Sequence, residues 1–126
     1  LTSIKLVEGG LSRRELKEYC DKITPKLGII TVDTCHAGGM IDWCQPPYVG
    51  VAGTQEDALG YSKIHDSFGG YFYLAWGNKD ADANMDKKIS IQEAVEYAKE
   101  RHSWSRKGLV HPVINSDKNP DKMYVP

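Results

Sequence analysis

Cysteine is scarce in this chain and poorly spaced for a structural role. Cys20, Cys35 and Cys44 are odd in number and include no Cys-x-x-Cys pair. Neither a disulfide framework nor a zinc site is indicated, and at least one thiol is expected to be free. An excess of charge of one sign is missing too. The net charge is −1 and no basic face stands out, so nothing points to nucleic acid as a partner. No apolar run approaches the ~20 residues of a membrane span, so no membrane partner is expected. No signal peptide is visible in this chain, and no internal repeat or low-complexity segment is found. The chain starts on Leu1 rather than Met, so a preceding part is expected to have been removed or omitted. What remains is the composition of an ordinary soluble globular protein. At 126 residues it is one domain or part of one, long enough to bury a core.

Ser3 to Val7 reads as a short strand stopped by Gly9-Gly10. Ser12 and Glu15 have capping-box spacing, and Leu16, Tyr19, Cys20 and Ile23 then share one helical face until Pro25 closes the helix. Leu27 to Val32 is short, continuously apolar and β-branched, as a strand buried on both faces is. Tyr48 to Gly53 is a second core strand after Pro46-Pro47. Gly69 to Trp76 is ambiguous between helix and strand. "ISIQEAVEYAKERH" is a helix, with Ser90 and Glu93 as a second capping box and Ile91, Ala94, Val95 and Ala98 on one face. The tail is loop-rich, with Lys122 to Val125 read as an edge strand. A helix followed by a continuous apolar strand suggests an α/β layer with parallel pairing.

The segment "IITVDTCHAGGMID" (29–42) carries the chemistry. In parallel α/β sheets functional groups collect at the carboxyl ends of strands, and Asp33-Thr34-Cys35 stands there. Gly38 and Gly39 allow a sharp turn and a close approach to the backbone, and the turn's N–H groups can face an oxyanion. On position alone, a catalytic thiol and a buried structural cysteine both fit. A catalytic thiol needs a base, usually His. His36 adjoins Cys35 and on an extended segment points away from it. The chain ends at Pro126, short of the roughly 130–150 downstream residues of a papain-type arrangement, and no His precedes Cys35 at the roughly 50 residues of a caspase-type one. His65, His102 and His111 read as surface or packing histidines. Trp43, Trp76 and Trp104 read as packing residues, and Lys99, Arg101, Arg106 and Lys107 as a solvated helix end.

"VDTCHAGGM" resembles the nucleophile motif of metacaspases and of prokaryotic caspase-like, legumain-like cysteine peptidases. "YVGVAGTQEDALGYSK" is similar to the strand and loop that follow the nucleophile in that family. "GGYFYLAW" looks like its next helix, "DADANMDKKISIQEAVEYA" like an acidic loop and helix of prokaryotic members, and the tail with "HPV" like their ending. The resemblance implies an α/β, three-layer caspase-like sandwich with a mostly parallel sheet and helices on both faces, of which residues 1–126 are the C-terminal portion. It implies a cysteine endopeptidase with Cys35 as nucleophile, and with Gly38 and the Cys35 N–H as oxyanion elements. The family's base lies in a His-Gly motif, which this chain lacks, so the resemblance puts the base before Leu1, in an N-terminal segment or chain. It also makes Asp33 the acid that lines a pocket for a basic side chain. Glu56 and Asp57, in the following loop, can add negative charge there. Cleavage of peptide or protein substrates after Arg or Lys is expected, although legumain-like relatives prefer Asn and caspases Asp. An inactive relative that binds calcium or a protein partner is the alternative.

The stretch from Asp82 to Glu93 can be read as an EF-hand-like calcium loop. Asp82, Asn84, Asp86, the Lys88 carbonyl, Ser90 and Glu93 fall at positions 1, 3, 5, 7, 9 and 12. Lys87 stands at position 6, where glycine is usual, at a cost of about 1 kcal/mol. Without metal, the same acids make Asx turns and Glu93 caps a helix.

Overall fold

The computed structural model describes residues 3–6 and 9–115. The expected strand Lys122 to Val125 and the position of Val7 lie outside them. Two strands, β1 (Ser3–Leu6) and β2 (Gly9–Ser12), pair antiparallel, Ser3 opposite Ser12 and Leu6 opposite Gly9. Gly9 and Gly10 thus begin the returning strand rather than simply ending the first. Helix α1 (Arg13–Asp21) follows directly and starts on the expected capping box: the Ser12 hydroxyl accepts from Glu15 N, and Glu15 accepts from Ser12 N at 2.8 Å. Its inner face is narrower than expected. Cys20 is buried and Leu16 half-buried, but Tyr19 and Ile23 face outward.

The sheet that matters for the site has the order β3 (Gly28–Val32), β4 (Tyr48–Ala52), β5 (Val113–Asn115). β3 and β4 are parallel, with Gly28 opposite Tyr48 and Val32 opposite Ala52; β5 runs antiparallel to β4. The sheet is therefore mixed. The strand buried on both faces is β4, where Val49, Val51 and Ala52 are closed to solvent. β3 is an edge strand among the described residues, as β5 is, and Ile29 and Ile30 are only half-buried. A strand's burial depends on how many neighbours it has, which an apolar run does not state.

Side chains alternate across the two faces. Val49 and Val51, with Ile29, pack against helices α2 (Phe68–Ala75) and α3 (Ile91–Arg101). Val32 and Ala52, with Ile30, pack against Met40, Ile41, Cys44 and Leu16 of α1. The ambiguous 69–76 stretch is helical because Phe68, Phe72 and Ala75, spaced i, i+4, i+7, are the residues buried. It is capped by Ser67, which accepts from Gly70 N at 3.1 Å. Helix α3 carries the expected second capping box, Ser90 with Glu93.

A short helix, α4 (Ser103–Arg106), had no sequence signal. It fastens the strap 61–66. His102, 1% exposed, bonds through Nε2 to the Tyr61 carbonyl at 2.8 Å and through Nδ1 to the Ser105 hydroxyl at 2.7 Å. The buried Asp66 carboxylate accepts from both Ser103 N and Ser103 Oγ. These bonds hold Asp66 below the usual carboxylate range, the Ser103 hydroxyl contributing most. No helix among the described residues is long and apolar enough to cross a membrane.

Candidate functional site

The parallel pair β3–β4 sends two loops out of the same end of the sheet. The ladder continues one step beyond the strands, Gly53 N donating to Val32 O at 2.8 Å. Then the chains diverge, and Asp33, Thr34 and Cys35 stand at the opening. Cys35 is the one exposed thiol of the three. Its Sγ lies 3.6 Å from the Gly60 carbonyl, and its N–H has no partner among the described residues. Burial pushes the Cys44 thiol up to about 12, and burial also raises Cys20. A thiol held protonated is a poor nucleophile, and of the three only Cys35 is exposed to a reactant.

The turn after Cys35 departs from the expectation placed on its glycines. The residue in the left-handed region is His36, at φ 59°. The chain then winds through a short 3-10 turn, Ala37–Met40, whose Ala37, Gly39 and Met40 are buried. Gly38 is required for a different reason: a Cβ there would lie 2.7 Å from Glu56 N. Its own N–H donates to the Thr54 carbonyl at 3.0 Å. Of the two expected oxyanion elements, the Cys35 N–H therefore remains available, and Gly38 contributes the close approach of the neighbouring loop.

That loop, residues 54–60, is laced to the turn after Cys35. His36 N donates to Ala58 O at 2.9 Å, and His36 Nδ1 lies 2.7 Å from Glu56 O. Gly60 packs against the Thr34 carbonyl, where a Cβ would meet it at 3.0 Å. Glu56 and Asp57 are exposed on this loop. Sequence reasoning missed the lacing because its bonds are mostly backbone to backbone. The only signals are Gly38 and Gly60, which lack side chains where the two loops touch.

Asp33 is tied to helix α2. Its Oδ2 accepts from Gly69 N at 2.7 Å, in the first turn of α2, where the helix dipole favours a carboxylate. A Cβ on Gly53 would lie 2.4 Å from its Oδ1, and one on Gly69 3.1 Å from its Oδ2. A cavity of about 330 Å³ is lined by His65 and Ser67 and by Gly70, Tyr71 and Leu74 of α2.

No histidine is hydrogen-bonded to Cys35. His36 turns its Nδ1 to Glu56 O, and His102 is buried with both nitrogens engaged. His65 and His111 are exposed, and the one hydrogen-bond partner of Cys35 Sγ among the described residues is the Gly60 carbonyl.

The 82–93 loop is a run of turns closed by its own side chains. Asp82 accepts from Asp86 N and Lys87 N, at 3.1 and 2.8 Å, and Asn84 also accepts from Asp86 N. Lys87, at loop position 6, takes φ 68°, and Met85 takes φ 60°. Glu93 divides its oxygens between Asn84 N and the Ser90 cap. Among the described residues no three acids, cysteines or histidines gather as a metal-holding group. The carboxylates of Asp82, Asp86 and Glu93 are turned to backbone N–H donors instead.

No protein-family model matches the chain, and no curated protein matches it.

Proposed function

We propose that this chain carries the nucleophile portion of a caspase-like cysteine peptidase, within a three-layer sandwich of that kind. In this reading the Cys35 thiolate attacks a peptide carbonyl carbon. The C–N bond breaks, the amine leaves with a proton, and water hydrolyses the acyl-thioester. The Cys35 N–H faces the oxyanion. The base is a histidine supplied from outside the 126 residues; the commitments of His36 and His102 support that assignment. Asp33, Glu56 and Asp57 favour an Arg or Lys side chain beside the scissile bond.

One observation carries the reading: an exposed thiol, whose own N–H has no partner among the described residues, stands at the carboxyl end of a strand in a parallel pair. The test uses the protein that contains this chain together with its histidine. Cys35→Ala is expected to lower peptide hydrolysis about a thousandfold or more, while Cys20→Ala and Cys44→Ala keep most activity. An active Cys35→Ala variant ends the proposal. Profiling the same protein on a peptide library tests the pocket: cleavage mainly after Asp or Asn removes it.

A second reading attaches to the 82–93 loop, as a calcium site formed by Asp82, Asn84, Asp86, the Lys88 carbonyl, Ser90 and Glu93. It is favoured by the left-handed Lys87 at the position where such loops turn. Millimolar calcium is expected to raise the melting temperature, and Glu93→Gln to abolish that rise while keeping the helix cap. No shift in the parent protein leaves Glu93 as a cap alone.

A further inference from the structure

We propose that His36 is a positioning residue, which holds the acid-bearing loop against the nucleophile turn and thereby sets the electrostatic potential at Cys35. The idea deepens the peptidase reading and takes from it the importance of Cys35. The clamp itself stands on geometry.

A carbonyl oxygen only accepts, so the 2.7 Å contact between His36 Nδ1 and Glu56 O requires a hydrogen on Nδ1. This holds for the neutral and for the charged ring, so the clamp does not depend on which form is present. The contact addresses Glu56 itself, one residue before Asp57. It adds to two backbone bonds between the same loops, His36 N to Ala58 O and Gly38 N to Thr54 O. His36 reaches Glu56 from a left-handed backbone at φ 59°, a conformation that disfavours most side chains. That backbone also explains why a residue next to the thiol does not face it: the ring is directed across the turn, to the loop. Glu56 and Asp57 make no ion pair among the described residues, so their charge is directed to solvent beside the site. Without the clamp the loop keeps its backbone bonds, but the segment that bears both acids loses the side-chain bond made at Glu56.

The test reads potential, not turnover, on this chain as it stands. Cys35 is treated with two methanethiosulfonate reagents of similar size, one cationic and one anionic. The thiolate attacks the thiosulfonate sulfur, a disulfide forms and a sulfinate leaves. Cys20 and Cys44 are 6% and 4% exposed, and mass spectrometry places the label. The ratio of cationic to anionic rates reports the local charge. Neutralising both acids, Glu56→Gln with Asp57→Asn, is expected to lower this ratio about fivefold at low ionic strength, and far less at 0.5 M salt. His36→Ala is expected to lower it part of the way. His36→Asn, whose Nδ2 mimics Nδ1 and which tolerates the left-handed region, is expected to keep the parent ratio. Circular dichroism and melting curves accompany each variant. If His36→Ala does not fold, His36→Gln, which displaces the donor, serves in its place and is expected to lower the ratio. An unchanged ratio in His36→Ala, an equal loss in His36→Asn, or no effect of neutralising the acids overturns the clamp. Failure of Cys35→Ala to affect hydrolysis in the complete protein removes the peptidase reading and leaves the clamp standing.

Discussion

Two residues carry backbone or packing demands that a substitution can measure. Lys87 sits at φ 68° with its N–H bound to Asp82. Asparagine accepts that conformation more readily, so Lys87→Asn is expected to stabilise the chain by about 0.5–1 kcal/mol, a rise of roughly 3 °C in Tm. An unchanged or lowered Tm would show that the lysine is not strained there. Gly53 is the opposite case, since a Cβ would lie 2.4 Å from Asp33 Oδ1. Gly53→Ala is expected to cost roughly 1–3 kcal/mol in chemical denaturation, and much less in an Asp33→Ala background, because the two share one contact. Additive costs would place the strain elsewhere. The place of Cys35 just past a strand was legible in the sequence, because strand, acid, thiol and glycines are consecutive. The bond from Gly69 N to Asp33 was not, because its partners lie in different elements, far apart in the chain.

At the level of elements, what is local was readable. Both capping boxes form as spaced, since a cap needs only its own first turn. Ser90→Ala is expected to cost about 1 kcal/mol, measured by urea denaturation; an effect below a few tenths would mean that Glu93 alone holds the start of α3. What is settled by pairing was not readable. The apolar run at Leu27 to Val32 gave no sign that β4, rather than β3, has neighbours on both sides, and nothing in Val113–Asn115 announced a strand. Helix α4 was missed because its anchor, Asp66, comes from a distant part of the chain. That anchor makes a pH prediction. The folded state lowers the Asp66 pKa, so its stabilisation is complete above the ordinary carboxylate range near pH 4 and fades as pH falls through the lowered value. Asp66→Asn and Ser103→Ala are both expected to flatten the dependence of Tm on pH below about 4. A variant that retains the parent's acid profile would assign that loss to other carboxylates.

For the molecule as a whole, the proposed separation of thiol and base sets what this chain is expected to do alone. With no histidine hydrogen-bonded to Cys35, the 126 residues are expected to hydrolyse no peptide at a measurable rate, although Cys35 remains open to alkylation. Robust turnover by the isolated chain would show that one of its own histidines acts as the base. The mixed α/β architecture was legible in outline, from one helix followed by an apolar strand. The interlocking of the two loops above the sheet was not, because backbone bonds leave no mark on side-chain order. The strap between those loops and α4 has a mechanical meaning as well. It is pinned near both ends, Tyr61 by His102 and Asp66 by Ser103, while Ile64 between them is 86% exposed. A trypsin cut after Lys63 would therefore sever the covalent link and leave both stumps docked. The two fragments should migrate together in native gel filtration and part only in denaturant, so that the molecule behaves there as a clasp whose halves stay shut after the thread is cut.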